Sequence, residues 1–294
     1  MSSRARRVTS LGLVVVFAVA TSVAALGPLP AAHAQLFGVS EQQEIQIGRQ
    51  VEAQLARKPG FVDSPGQLEY VRSIGVRLAR VSERPNLPWT YHILNDKGVN
   101  AIAAPGGFVF VTRGLLSFVG SESELAFVMG HETTHVAHRH AVELAQRDME
   151  LQFGAILLTQ ILFGGSLTAY QLSQLGRALI DAKYSRDKEL EADHYGVIYA
   201  RKAGFDPTAA LTFFERLQAT EKQQPSALQH AFEDHPDTPA RIAAIRAELR
   251  QMGYQVPGPA SSSAAPPPPP PAIRPATQPP ASPPPPPSYD PTNR

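Results

Sequence analysis

Cysteine is absent from all 294 residues. That excludes a thiol nucleophile, a disulfide framework, thiolate metal ligands and a lipidated N-terminal cysteine. Any metal site must therefore be built from histidine and carboxylate. An excess of charge of either sign is missing too, with 27 Lys and Arg against 26 Asp and Glu. Without Arg4, Arg6 and Arg7, which belong to a leader segment, the balance is 24 against 26, near −2. No basic stripe suggests nucleic acid as a partner. Apolar runs that would fill a bilayer, about 20 residues, are scarce. Only residues 11–26 and 151–167 come near. The second is interrupted by Gln152 and Gln160 and closed by Gly164-Gly165, so it reads as a buried or lid-forming helix. No internal repeat of fixed period is present.

Three segments follow. Residues 1–34 read as a signal peptide: Arg4, Arg6 and Arg7 precede an uncharged apolar stretch, and Ala32-His33-Ala34 supplies an A-x-A cleavage site. The mature chain is then exported, to the periplasm, with an uncleaved N-terminal anchor as the alternative. Residues 256–294 form a tail that holds, from Pro257 on, 17 of the 28 prolines. Such a segment cannot bury enough apolar surface to offset its ordering entropy and stays extended and solvated, its partner unspecified. Residues 35–255 remain as one folded domain.

Within that domain, Ser40 and Gln43 have capping-box spacing for a helix to about Arg57, and Pro65 opens a second helix to Val81. Three short β-rich runs follow, 89–94, 99–103 and 108–112, with Pro105-Gly106-Gly107 before the third. They read as a small antiparallel sheet. The rest reads as helical. Ser121 with Glu124 looks like another capping box, opening a helix to about Gln146, and further helices fit 168–183, 186–203, 207–222 and 238–250.

The helix after Ser121 carries His131-Glu132-Thr133-Thr134-His135. Residues i and i+4 of a helix lie one above the other, so both imidazoles can reach one zinc ion. Glu132 points elsewhere and suits a proton-accepting role toward a water on the metal. A catalytic zinc needs a third ligand and an open position. Glu189 and Asp193, again i and i+4, share a face that could supply one ligand and one carboxylate behind an imidazole. Glu191 is the rival ligand, with a solvated face as its bland role. His138 reads as a surface or hydrogen-bonded residue. Tyr184, Tyr195, Tyr199 and Arg241 are equal candidates for steadying an oxyanion.

The run Ser121 to His135, followed by Glu189-Leu-Glu-Ala-Asp193, resembles the HtpX-like zinc metallopeptidases, gluzincins that include the CAAX prenyl endopeptidases and the periplasmic BepA- and LoiP-type enzymes. Asn100 to Gly107 with Phe108 to Thr112 is similar to the family's substrate-side edge strand, and Asp234-His235-Pro236 with Arg241-Ile242 to its C-terminal element. The chain lacks the several transmembrane helices of HtpX and is most similar to the compact, BepA/LoiP-type members.

This resemblance implies an α+β, mainly helical zincin-type domain with one zinc ion per chain. It makes His131, His135 and Glu189 the ligands, Glu132 the catalytic base and Asp193 the carboxylate behind the ligands. It makes His235 a gate over the metal, with Arg241 as a further gate or transition-state stabiliser. The strand Phe108, Val109, Phe110, Val111 would take an extended substrate as an added strand. The implied function is zinc-dependent endopeptidase action on unfolded or misassembled envelope proteins. The alternatives are a non-catalytic zinc-stabilised chaperone or scaffold, and a membrane-associated processing enzyme.

Overall fold

The computed structural model describes residues 39–144, 183–223 and 238–256. Helix α1, Glu41–Arg57, begins at a full capping box: the Ser40 hydroxyl accepts from the Gln43 amide and the Gln43 side chain accepts from the Ser40 amide. Helix α2, Pro65–Arg80, has proline in its first turn, where no amide donor is needed. Strands β1 (Thr90–Leu94), β2 (Ala101–Ala104) and β3 (Phe108–Thr112) follow, then α3 (Arg113–Phe118) and α4 (Glu122–Ala137). Helices α5 (Arg186–Lys202) and α6 (Ala209–Gln223) lie in the second described segment and α7 (Thr238–Gln251) in the third.

The fold is α+β and mainly helical, as expected, but the sheet is mixed rather than antiparallel. Its order is β1-β3-β2, with β1 parallel and β2 antiparallel to β3. The short 95–100 connection suggests that β1 and β2 are neighbours, because consecutive strands usually are. Instead β2 lies one place further over, and the turn through Gly106 and Gly107, both at positive φ, folds β3 back into the vacant middle. Every residue of β3 is buried, as five consecutive apolar or β-branched residues in a central strand should be. The assignment of Phe108, Val109, Phe110 and Val111 to a substrate-binding edge strand is therefore corrected: both sides of β3 are already paired. Among the described residues, β2 pairs only with β3.

Helix α4 sits at the centre of the molecule. All residues from Glu124 to Ala137 are buried, and α2, α5, α6, β2 and β3 pack around it. Its start is the expected Ser121, whose hydroxyl accepts from the Glu124 amide. The capping box is not completed, however: the Glu124 carboxylate accepts from Gly120 and is held by Thr212 and Arg216 of α6. The helix also ends earlier than the expected Gln146. It closes at Ala137, and Arg139 takes a left-handed backbone with φ of 60°.

Helices α4 and α5 cross where two glycines meet. A Cβ on Gly130 would stand 3.0 Å from the Gly196 carbonyl, and one on Gly196 would stand 3.0 Å from the His131 amide. Gly196 lies three residues past Asp193 and seven past Glu189, so all three share a face of α5. The close approach at Gly196 thus brings both carboxylates against His131.

The leader, the helix expected over 151–167, all but the last residue of that expected over 168–183, His235 and the proline-rich residues from Pro257 on lie outside the described residues. Among the described residues, no helix is long and apolar enough to cross a membrane.

Candidate active site

Residues four apart on α4 bring the two imidazoles together, with His131 Nε2 and His135 Nε2 3.0 Å apart. From α5, the Glu189 carboxylate stands 3.5 Å from His131 Nε2 and 3.6 Å from His135 Nε2. The two imidazole nitrogens thus face the two Glu189 oxygens, one each, and the three residues converge and are buried. Asp193 is not one of the three. It faces the back of His131, with Oδ1 2.9 Å from Nδ1.

Arg241 of α7 closes the set. Its Nε and Nη2 donate to the two Asp193 oxygens at 2.7 Å each, and its Nη1 lies 3.0 Å from Glu189 Oε2. Planar guanidinium against planar carboxylate is a strong, orienting pair, here fully desolvated. Burial alone would raise the Asp193 pKa; the charge and hydrogen bonds of Arg241, with His131, outweigh it and hold that carboxyl at about 2. Burial likewise opposes the charge on Arg241, but Asp193, Glu189 and Glu132 overcome it and raise its pKa. At formal charges, the carboxyls of Glu132, Glu189 and Asp193 against one guanidinium leave two negative units, which a divalent cation would neutralise. Buried carboxylates persist only when compensated in some such way.

Glu132 lies beside His131 on the wall of a small open cleft. Val99, Asn100 and Ala101, at the start of β2, form one side. Leu115, Phe127, Val128, Phe213, Phe214 and Leu217 make the rest largely apolar.

Of the three tyrosines that sequence left equal, only Tyr184 belongs here. Its ring stacks on His135 with centroids 4.0 Å apart, and desolvation, with the charges of Glu132 and Glu189, raises its pKa and keeps the phenol protonated. Tyr195 packs on His138, and the Tyr199 hydroxyl donates to Glu83. Glu191 faces away from the three converging residues, as expected, but not into bulk solvent. It accepts from His138 at 2.7 Å and stands 3.4 Å from His140 Nε2. His138 is thus hydrogen-bonded rather than part of that set. His140 carried no signal in the sequence, because five residues along a helix share no face with His135. Burial, then Lys188, pushes its pKa down to about 4, so the ring is neutral at pH 7.

The M48 peptidase family model matches residues 65–249, which include every residue named in this site. The chain belongs to peptidase family M48. Among its relatives, the chain is 31% identical over 219 residues to the beta-barrel assembly-enhancing protease of Escherichia coli, covering 71% of this chain and 44% of that protein. It is 28% identical over 225 residues to the metalloprotease LoiP of Escherichia coli, covering 74% of this chain and 85% of LoiP. It is 35% identical over 180 residues to a mitochondrial metalloendopeptidase of Schizosaccharomyces pombe, covering 61% of this chain and 52% of the yeast protein. The chain thus spans about half the length of two of these relatives and most of the third. It carries a metallopeptidase domain of the M48 family, and such a domain implies a metal ion, for which the buried His131, His135 and Glu189 set is suited.

Proposed function

We propose that this chain is a zinc-dependent endopeptidase of the cell envelope that cleaves misfolded or misassembled proteins. The observation that carries the reading is the convergence of three buried residues: the two Nε2 atoms lie 3.0 Å apart, and the Glu189 carboxylate places one oxygen 3.5 Å from His131 and the other 3.6 Å from His135. Ligands about 2.0–2.1 Å from a tetrahedral zinc lie roughly 3.4 Å from one another, a spacing of the same order as these separations. Two imidazoles and one carboxylate, with no thiolate, are also a donor set that suits catalytic zinc and leaves a position open. When bound, the metal supplies Lewis-acid polarisation of the scissile carbonyl and a water of lowered pKa.

The chain's own residues do the rest. Glu132 takes a proton from the attacking water and returns it to the leaving amine, a role for a carboxylate next to, but outside, the ligand set. Tyr184, protonated and beside Glu132, donates a hydrogen bond to the developing oxyanion. Asp193 holds the back of His131, and Arg241 holds Asp193 and Glu189 in register. An extended substrate lies along the outer edge of β2, whose first residues border the cleft, and takes its affinity from backbone hydrogen bonds. The apolar cleft then receives an apolar side chain beside the scissile bond. Unfolded polypeptide offers both features, and folded protein offers neither. The charged and apolar leader, with the similarity to a beta-barrel assembly-enhancing protease, supports an envelope setting.

Glu132→Gln tests the assignment. The variant is expected to bind zinc stoichiometrically and to degrade casein about 10²–10⁴-fold more slowly. Undiminished cleavage by that variant would remove Glu132 from the mechanism and leave the reading without a base.

A further inference from the structure

A helix continued through Ala137 would carry His140 roughly 140° round the axis from His135, at about 100° per residue. The left-handed turn at Arg139 prevents this. Arg139 is fastened by an ion pair of 2.9 Å to Glu44, a buried residue of α1, and by a hydrogen bond to the Val39 carbonyl. The chain turns back, and His140 comes to lie under His135 with Nδ1 3.0 Å from Nδ1 and the rings at 81°. His140 is 1% exposed. Among the described residues its Nε2 has no hydrogen-bond partner within normal geometry, but it faces the Glu191 carboxylate at 3.4 Å.

Two ring nitrogens 3.0 Å apart need one proton between them. If His135 presents a bare Nε2 to a metal, its proton sits on Nδ1 and is donated to His140. His140 then accepts at Nδ1 and carries its own proton on Nε2, aimed at Glu191. We propose that His140 is a positioning residue for the second histidine ligand: it fixes the metal-facing tautomer of His135, and Glu191 fixes that of His140. This rests on the metal reading above. The line Glu191–His140–His135 does for one imidazole, through an extra ring, what Asp193 does directly for the other. His138, His140 and Glu191 are also close enough to hold a cation themselves. Proton placement opposes that, because His140 Nε2 must carry hydrogen whenever His135 is a ligand. So does Lys188, whose ammonium stands 3.5 Å from Glu191.

The test measures zinc affinity of the full chain by competition with a chromophoric chelator, together with the visible spectrum of the cobalt-substituted protein. His140→Leu, which removes the acceptor, should weaken zinc about 10- to 100-fold and shift the cobalt bands. His140→Asn, whose carboxamide oxygen can accept the same hydrogen bond, should recover affinity to within about threefold of wild type. Unchanged affinity in His140→Leu, or equal losses in both variants, would overturn the proposal. If His140→Leu does not fold, Glu191→Ala serves: a loss of about three- to tenfold supports the line, and none refutes it. A second equivalent of zinc in wild type, lost in His138→Ala, would make the cluster a metal site and also refute it. His135→Ala separates the two readings, since retention of wild-type zinc affinity there would sink the metal assignment itself, whatever His140 does.

Discussion

Glu189 and Glu191 are two residues apart, and burial separates them. Glu189 is 0% exposed, within 3.6 Å of both imidazoles; Glu191 is a third exposed and turned toward His138 and His140. Glu189→Ala should therefore abolish stoichiometric zinc binding in equilibrium dialysis, whereas Glu191→Ala should keep it at reduced affinity. The opposite pattern would reverse the proposed ligand assignment. A second consequence follows from Asp193, whose carboxyl has an ordinary pKa of 3.8 and about 2 in the fold. The unfolded chain takes up that proton first, so acid favours unfolding. The contribution is fully present above about pH 4 and is lost as pH falls toward 2. At 1.36 kcal/mol per pKa unit it amounts to about 2 kcal/mol. Urea midpoints of the metal-free protein from pH 5 to pH 2.5 should fall more steeply for wild type than for Asp193→Asn. Parallel curves would mean that the Asp193–Arg241 pair does not stabilise the fold.

Among the elements, the crossing of α4 and α5 decides whether the site assembles. Gly130 and Gly196 let the two helices approach so closely that any side chain at either position meets backbone. Gly196→Ala should push α5 outward by a few tenths of an ångström. The cost is about 1–3 kcal/mol by thermal unfolding, as for other overpacked interiors. Because Glu189 and Asp193 ride on the same face of α5, the same variant should lose zinc affinity although no donor has been altered. Retained affinity would show that the crossing is slack enough to absorb a methyl group. The sheet acts at the same scale. With β3 in the middle, β1 and β2 are the outer strands, and the proposed substrate mode uses β2 because its start borders the cleft.

For the molecule as a whole, most of the described apolar core lies between α2, the sheet, α3, α4, α5, α6 and α7, with a second cluster between α1 and the sheet. Residues 257–294 lie outside the described residues, and their proline-rich composition gives the expectation that they contribute little to this core. Deleting Pro257 to Arg294 should leave the melting temperature within about 2 °C of wild type, no more than the shift of about 2–4 °C that 1 kcal/mol produces in a domain of this size. A larger fall would mean that the tail docks on the domain.

Local chemistry was legible in the sequence wherever spacing along one helix was enough. The pairing of His131 with His135 and of Glu189 with Asp193 follows from a 3.6-residue period, and the caps at Ser40 and Ser121 from short-range hydrogen bonding. So does the exclusion of thiolate chemistry from a chain without cysteine. What spacing could not reach is everything that depends on how distant elements meet. The order β1-β3-β2 depends on which strand fills the middle of a sheet. The placing of Tyr184 rather than Tyr195 or Tyr199 beside Glu132 depends on where α5 starts relative to α4. The contact of His140 with His135 depends on a turn at Arg139 that is fastened by Glu44, 95 positions earlier in the chain. A helix period carries no information about such a partner, so only tertiary packing could decide it.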